Sequence, residues 1–126
     1  MDSGAIADSQ ISASSQWDNN HAAQQARLHF TKSGNKQGAW CARKNDLNQW
    51  LQVDLGSYTR VTGVATQGRN GNVQWVTEYR LQYSDDGVIF KFYKEPHHTS
   101  PKVCLCLFVD HETRSEYNLV QVFIHM

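Results

Sequence analysis

The feature that most constrains this chain is an alternation of apolar and polar residues with a period of two, in short runs that end on turn residues. In Gln49-Trp50-Leu51-Gln52-Val53-Asp54-Leu55 the apolar Leu51, Val53 and Leu55 fall on every second position, and the run meets Gly56-Ser57. In residues 77–83, Tyr79, Leu81 and Tyr83 share one face, with charged or polar residues on the other. Successive side chains of a strand point to opposite faces, so both runs read as half-buried strands. Asp85-Asp86-Gly87 then predicts a hairpin, because Asp-Gly accepts the positive φ angles of tight turns. Residues 88–93 follow as the returning strand. Residues 60–67 are rich in β-branched side chains and predict another strand. Residues 102–110 and 117–125 predict two more, the last almost continuously apolar. The only helical candidate, residues 21–28, is short and lacks a full apolar stripe, so it is expected as a single turn or an irregular loop. Short strands between turn signals, with almost no helix, predict an all-β sandwich or barrel.

The length, 126 residues, suits one domain. Four Trp, five Tyr and five Phe supply much of the apolar area for its core. Twelve basic and twelve acidic residues cancel, at a pI near 7.0. A neutral protein offers no broad basic face to a phosphate backbone, so nucleic acid is not an expected partner. No apolar run approaches the ~20 residues of a membrane-spanning helix. The N-terminal residues show no basic region followed by an apolar stretch, so no secretory signal is read there. Three cysteines, Cys41, Cys104 and Cys106, are an odd number and close no disulfide framework. Cys104 and Cys106 would share one face of a strand, a poor geometry for pairing with each other.

Two polar loops each carry a large aromatic. One spans residues 15–25 with Trp17, Asn19, Asn20 and His21; the other spans 69–75 as Arg-Asn-Gly-Asn-Val-Gln-Trp. Loops of this kind on a rigid β scaffold are where function concentrates. Trp17 and Trp75 either stand exposed, to meet a bilayer interface or a sugar face, or fold back beneath their own loops. Trp40 and Trp50 are expected in the core. Catalytic patterns are missing: no Gly-x-Ser-x-Gly elbow, no Cys near a patterned His and no phosphate-binding Gly loop. Asp85 and Asp86 are read as turn residues. His97, His98, Cys104, Cys106 and His111 match no structural zinc spacing, so no metal is assigned. No carboxylate cluster is dense enough to argue for calcium.

Five segments in order resemble the discoidin family, also called coagulation factor V/VIII C-type domains. They are Asp8-Ser9-Gln10-Ile11-Ser12-Ala13-Ser14-Ser15 with Ala26-Arg27-Leu28, then Gly38-Ala39-Trp40, then Gln49 through Gly56. Val61-Thr62-Gly63-Val64-Ala65-Thr66-Gln67-Gly68-Arg69 and Tyr79-Arg80-Leu81-Gln82-Tyr83-Ser84-Asp85-Asp86-Gly87 follow. The resemblance covers residues 3–96, and a divergent segment, 97–126, either completes the sandwich or ends it short. The family's closing Gly-Asn, Pro-turn and terminal Cys landmarks are not found after Pro96, and its first Cys is absent as well.

The resemblance implies an antiparallel jelly-roll β-sandwich of the galactose-binding-like kind, whose ligand loops project from one end. It implies a non-catalytic, extracellular or secreted adhesion module without cofactor, for family members bind carbohydrates, proteins or anionic phospholipid membranes. The residues it places on the ligand loops are Trp17, Asn19, His21, Asn45, Asp46, Arg69, Asn72 and Trp75. Asn, Asp and Arg present forked donors and acceptors suited to vicinal hydroxyls or a carboxylate, and Arg69 also suits a lipid phosphate. Lys32, Lys36, Arg43 and Lys44 form a loose basic set, either a solvated loop or an attraction to anionic lipid. Each loop has a single strong apolar anchor among amides, which favours a cell-surface glycan or extracellular protein over deep membrane insertion. Some collagen-binding relatives have a disulfide-bonded Cys at the position of Cys41; its partner here would be Cys104 or Cys106 if the tail folds back.

Overall fold

A computed structural model describes residues 5–61, 63–94, 98–101, 103–105 and 116–125. Its strands are β1 (Ile11–Ala13), β2 (Gln49–Arg60), β3 (Glu78–Ser84), β4 (Lys91–Phe92), β5 (Val103–Leu105) and β6 (Glu116–His125). They form one antiparallel sheet in the order β1-β2-β6-β3-β4, with β5 also pairing with β3. The central strand is β6, which pairs with β2 on one side and β3 on the other. Lys102 and residues 106–110 of the strand expected at 102–110 lie outside the described residues, as do His97 and His111.

The alternation at 49–55 and 77–83 is a pair of strands, as expected. Leu51, Tyr79 and Leu81 are buried. Gly56-Ser57, however, is not the end of a strand. The backbone runs on to Arg60, and the register with β6 shifts between Asp54 and Thr59. Gly56 sits there at φ +73° while the Asp54 carboxylate accepts its amide hydrogen at 2.8 Å. The turn residues therefore mark an irregularity inside a paired strand, a role that glycine fills because it takes positive φ without strain.

Residues 63–67 carry no strand, which corrects the expectation for 60–67. β-Branched composition favours a pleated surface only where a neighbouring strand provides one. Here Val64 packs on Tyr79 and Leu81, and Gln67 Oε1 accepts the His29 amide at 2.9 Å. The strand returning after β3 is also shorter than expected, Lys91–Phe92 instead of 88–93. Ser84 Oγ accepts the amides of Asp86 and Gly87, and the Asp86 carboxylate accepts those of Val88 and Ile89. Amides spent on the turn cannot join the ladder, so the tight hairpin opens into a wider loop with Gly87 at φ +73°.

Residues 19–26 form two single 3-10 turns, Asn19–His21 and Ala23–Ala26, in line with the lack of an apolar stripe. Ala23 from the second turn joins Ile11 and Leu51 in one core cluster, with Trp40 and Val76 packed against it. Tyr79 and Leu81 make a second cluster, and Val76 touches both. Each fully buried aliphatic side chain is worth about 1.5–3 kcal/mol over exposure. Trp40 thus lies against the core as expected. Trp50 is half-buried, on the face of β2 opposite Leu51.

Candidate functional site

The sheet register gathers the loops at one end. Gln49, the first residue of β2, and Tyr79, at the start of β3, both stand opposite Ile124 of β6. Ala13, the last residue of β1, stands opposite Leu51. The segments 14–48 and 69–77 therefore meet at the same end of the sheet.

The first loop is shaped by Asp18. Its carboxylate accepts the Asn20 amide at 2.8 Å, capping the turn Asn19–His21, and meets His21 Nδ1 at 2.6 Å. The bond to His21, followed by the backbone bond, holds the Asp18 carboxyl below its ordinary value. Three backbone bonds fasten this loop to the stretch that follows it. Trp17 N donates to Cys41 O at 2.8 Å, Gln37 N to Asn20 O at 2.8 Å and Cys41 N to His21 O at 3.3 Å.

Arg69 then ties on the third segment. Its guanidinium donates to Gln74 Oε1 at 2.7 Å and to Gln37 Oε1 at 3.1 Å. Its backbone amide donates to Gln74 O at 2.8 Å, and Asn72 N returns to Arg69 O at 3.3 Å. Asn70 N reaches Gly38 O at 3.4 Å, and Asn70 Oδ1 accepts the Lys32 amide at 3.2 Å. The half-buried Cys41 carries a free thiol. Burial pushes that thiol above its ordinary value, against the pull of the Arg69 guanidinium. A thiol held protonated is a poor nucleophile.

Asp46 belongs to a different network. Its carboxylate accepts Asn48 N at 2.9 Å and Gln49 Nε2 at 2.8 Å, which lowers its pKa. Gln49 Oε1 in turn accepts the hydroxyls of Ser14 and Ser15, and Trp40 Nε1 donates to Ser15 O at 2.8 Å. These bonds anchor the roots of the loops to the sheet.

The expected site residues thus divide. Trp17 is 65% exposed and Trp75 57% exposed, so neither folds back beneath its loop. Asn19, Asn45 and Asn72 are exposed as well. His21, Asp46 and Arg69 are partly buried and engaged by neighbours within the protein. The exposed Leu47 and Val73, the latter at 87%, extend the apolar surface of the loops. Lys32, Lys36, Arg43 and Lys44 are all exposed at this end. Sequence reasoning missed Gln37, Gln74 and Gln49, whose parts depend on partners distant in sequence. Asp18 before Asn-Asn-His carried a readable signal, that of a turn cap.

A family model decides the relationship: the F5/8 type C domain matches residues 10–104. The chain belongs to that family. Rat lactadherin is 39% identical over 100 residues, covering 75% of this chain and 23% of the relative. Bovine lactadherin is 47% identical over 70 residues, covering 54% of this chain and 16% of the relative. The chain therefore spans at most about a quarter of these relatives. Discoidin II of Dictyostelium discoideum superimposes with a TM-score of 0.77 at 19% identity, over 92% of this chain and 49% of that one. A chitosan-binding module of a Paenibacillus chitosanase/glucanase does so with a TM-score of 0.54, also at 19% identity, over 89% of this chain and 77% of that one. The likeness establishes the fold, an antiparallel galactose-binding-like β-sandwich.

Proposed function

We propose that this F5/8 type C domain is a non-catalytic, extracellular adhesion module that binds a cell-surface carbohydrate or protein through the loops at one end of its sheet. One observation carries the reading. Trp17 and Trp75 stand 65% and 57% exposed on polar loops held together through Arg69 and Gln37. Leaving two indoles in water forgoes a large burial gain, and an indole offers a flat apolar face with a polar N–H at its edge. Asn19, Asn45 and Asn72 supply neutral donors and acceptors around them. Arg69, His21 and Asp46 act in this reading as supports that fix the loops. Segment 97–126 closes the sandwich, a role that the place of β6 between β2 and β3 supports.

A second reading, peripheral binding to anionic phospholipid, is favoured by Val73, exposed beside Trp75, together with the basic set Lys32, Lys36, Arg43 and Lys44. Each such cation contributes about 1 kcal/mol near an anionic surface, and salt screens the attraction.

A glycan array and co-sedimentation with phosphatidylserine vesicles, run on the same cooperatively folding protein, test the two together. Saccharide binding lost on Trp17→Ala with Trp75→Ala supports the first reading. Salt-sensitive sedimentation lost on the same pair supports the second. A folded protein whose binding to either survives the double substitution refutes the assignment of these loops.

A further inference from the structure

Asn70 is the only asparagine in this sequence that is followed by glycine. It lies between Arg69 and Gly71 at the turn where Asn72 N meets Arg69 O at 3.3 Å. We infer that Asn70–Gly71 is a site of spontaneous deamidation, and that its conversion releases the clasp between the 69–75 loop and residues 32–38.

Three observations support it. Asn70 and Gly71 are both exposed, so water reaches the reacting atoms. Gly71 has no atom within 4 Å of where a Cβ would stand, and no hydrogen bond among the described residues engages its amide nitrogen. The Asn70 side chain is held by its carbonyl oxygen, which accepts the Lys32 amide at 3.2 Å. That bond draws electron density from Cγ and leaves the amide nitrogen free to depart.

The chemistry needs only water. The Gly71 backbone nitrogen attacks Asn70 Cγ, forming a new bond between them. The bond from Cγ to the side-chain nitrogen Nδ2 breaks, and ammonia leaves with the proton from Gly71. Water then opens the cyclic imide. Attack at Cγ gives an aspartate at position 70; attack at the former backbone carbonyl carbon gives an isoaspartyl linkage with a free α-carboxylate. Either product adds a negative charge beside Arg69. The isoaspartyl form also lengthens the backbone by one methylene within the turn. The bonds Asn72 N to Arg69 O, Arg69 N to Gln74 O and Asn70 N to Gly38 O all depend on that backbone geometry.

The 126-residue chain, aged at mildly alkaline pH and followed by peptide mass spectrometry with isoaspartyl methyltransferase labelling, tests this. Conversion at Asn70 is expected to run about tenfold faster than at Asn35, Asn45 or Asn48, the ratio given by a barrier lower by ~1.4 kcal/mol. It should proceed in the folded protein at a rate close to that in urea. Acrylamide quenching of tryptophan fluorescence is expected to rise as conversion proceeds in the parent protein, and to stay constant in Asn70→Gln, which cannot form the five-membered ring. This readout needs no ligand, so it is independent of the proposed function. Conversion no faster than at the other asparagines, strong slowing by folding, or conversion with unchanged quenching each overturns the inference.

Discussion

Gly38→Ala is the sharpest test of whether the loops act as one unit. Gly38 is buried and its backbone forms an isolated bridge with Asn70. A Cβ built there would stand 3.3 Å from both Asn70 Cα and Asn70 Cγ, and deep inside contact with Asn70 Cβ. Carbon atoms rest at about 3.5–4.0 Å, so the two segments must part by roughly an ångström. Overpacking of this size costs about 1–3 kcal/mol when the surroundings cannot yield. Here the obstacle includes backbone, and yielding would stretch the Asn70 N to Gly38 O bond, already 3.4 Å long. Gly68→Ala is the control. Its Cβ would meet only Gln74 O at 3.4 Å and Trp75 Cβ at 3.5 Å, ordinary contacts, and a change within about 0.5 kcal/mol is expected. Urea unfolding gives the stability, and acrylamide quenching of the tryptophan fluorescence reports whether the loops bearing the exposed indoles have moved. Gly38→Ala should lower the midpoint or raise quenching, and Gly68→Ala should do neither. Equal behaviour of the two variants in both assays would refute the argument that Gly38 and Asn70 lock the loops together.

Gln49→Leu should destabilise the fold by about 1–3 kcal/mol in urea titration, because the buried Gln49 side chain is the shared partner of Ser14, Ser15 and Asp46. Trp17→Ala with Trp75→Ala should change stability by no more than about 0.5 kcal/mol per site while reducing acrylamide quenching, since the two remaining indoles are partly buried. Acid should weaken the hairpin loop after β3. Asp86 is held at about 2, mainly by the amides of Ile89 and Val88, against 3.8 ordinarily. A depressed folded value means that its contribution is complete above about pH 4 and is lost as pH falls toward 2. Asp86→Asn should therefore flatten the stability profile in that window, measured by thermal melts at stepped pH; an unchanged acid slope would contradict the assignment.

Much of the fold was legible because period-two alternation is a local property. Leu51, Tyr79 and Leu81 needed no knowledge of distant partners to be placed inside. The failures at Gly56-Ser57 and at residues 63–67 share one cause. Whether a glycine ends a strand or bends it, and whether a β-branched run becomes a strand, is decided by the neighbour it pairs with. β6 supplies that neighbour along β2 as far as Arg60, across a register shift. Residues 63–67 instead lend single side chains, Val64 and Gln67, to other elements.

The candidate site shows the same division, with a consequence for its chemistry. The sequence marked polar loops with aromatics, and the aromatics and amides do face water. The forked charged groups among the expected site residues do not stand free. Arg69 is shared between Gln37 and Gln74, and Asp46 is held by Gln49 and the Asn48 amide. Freeing Arg69 for a ligand would break two hydrogen bonds to a charged donor, each worth about 1.5–3 kcal/mol, and would loosen the loop that presents Trp75. Contact made by indoles and amides is only weakly sensitive to salt, whereas contact made through Lys32, Lys36, Arg43 and Lys44 is not. Arg69→Lys distinguishes support from direct recognition. It keeps the charge but cannot span both glutamines with a planar fork. As a support, its loss should raise tryptophan quenching in the free protein and weaken binding together with it. Weakened binding with unchanged quenching would instead make Arg69 a direct ligand contact.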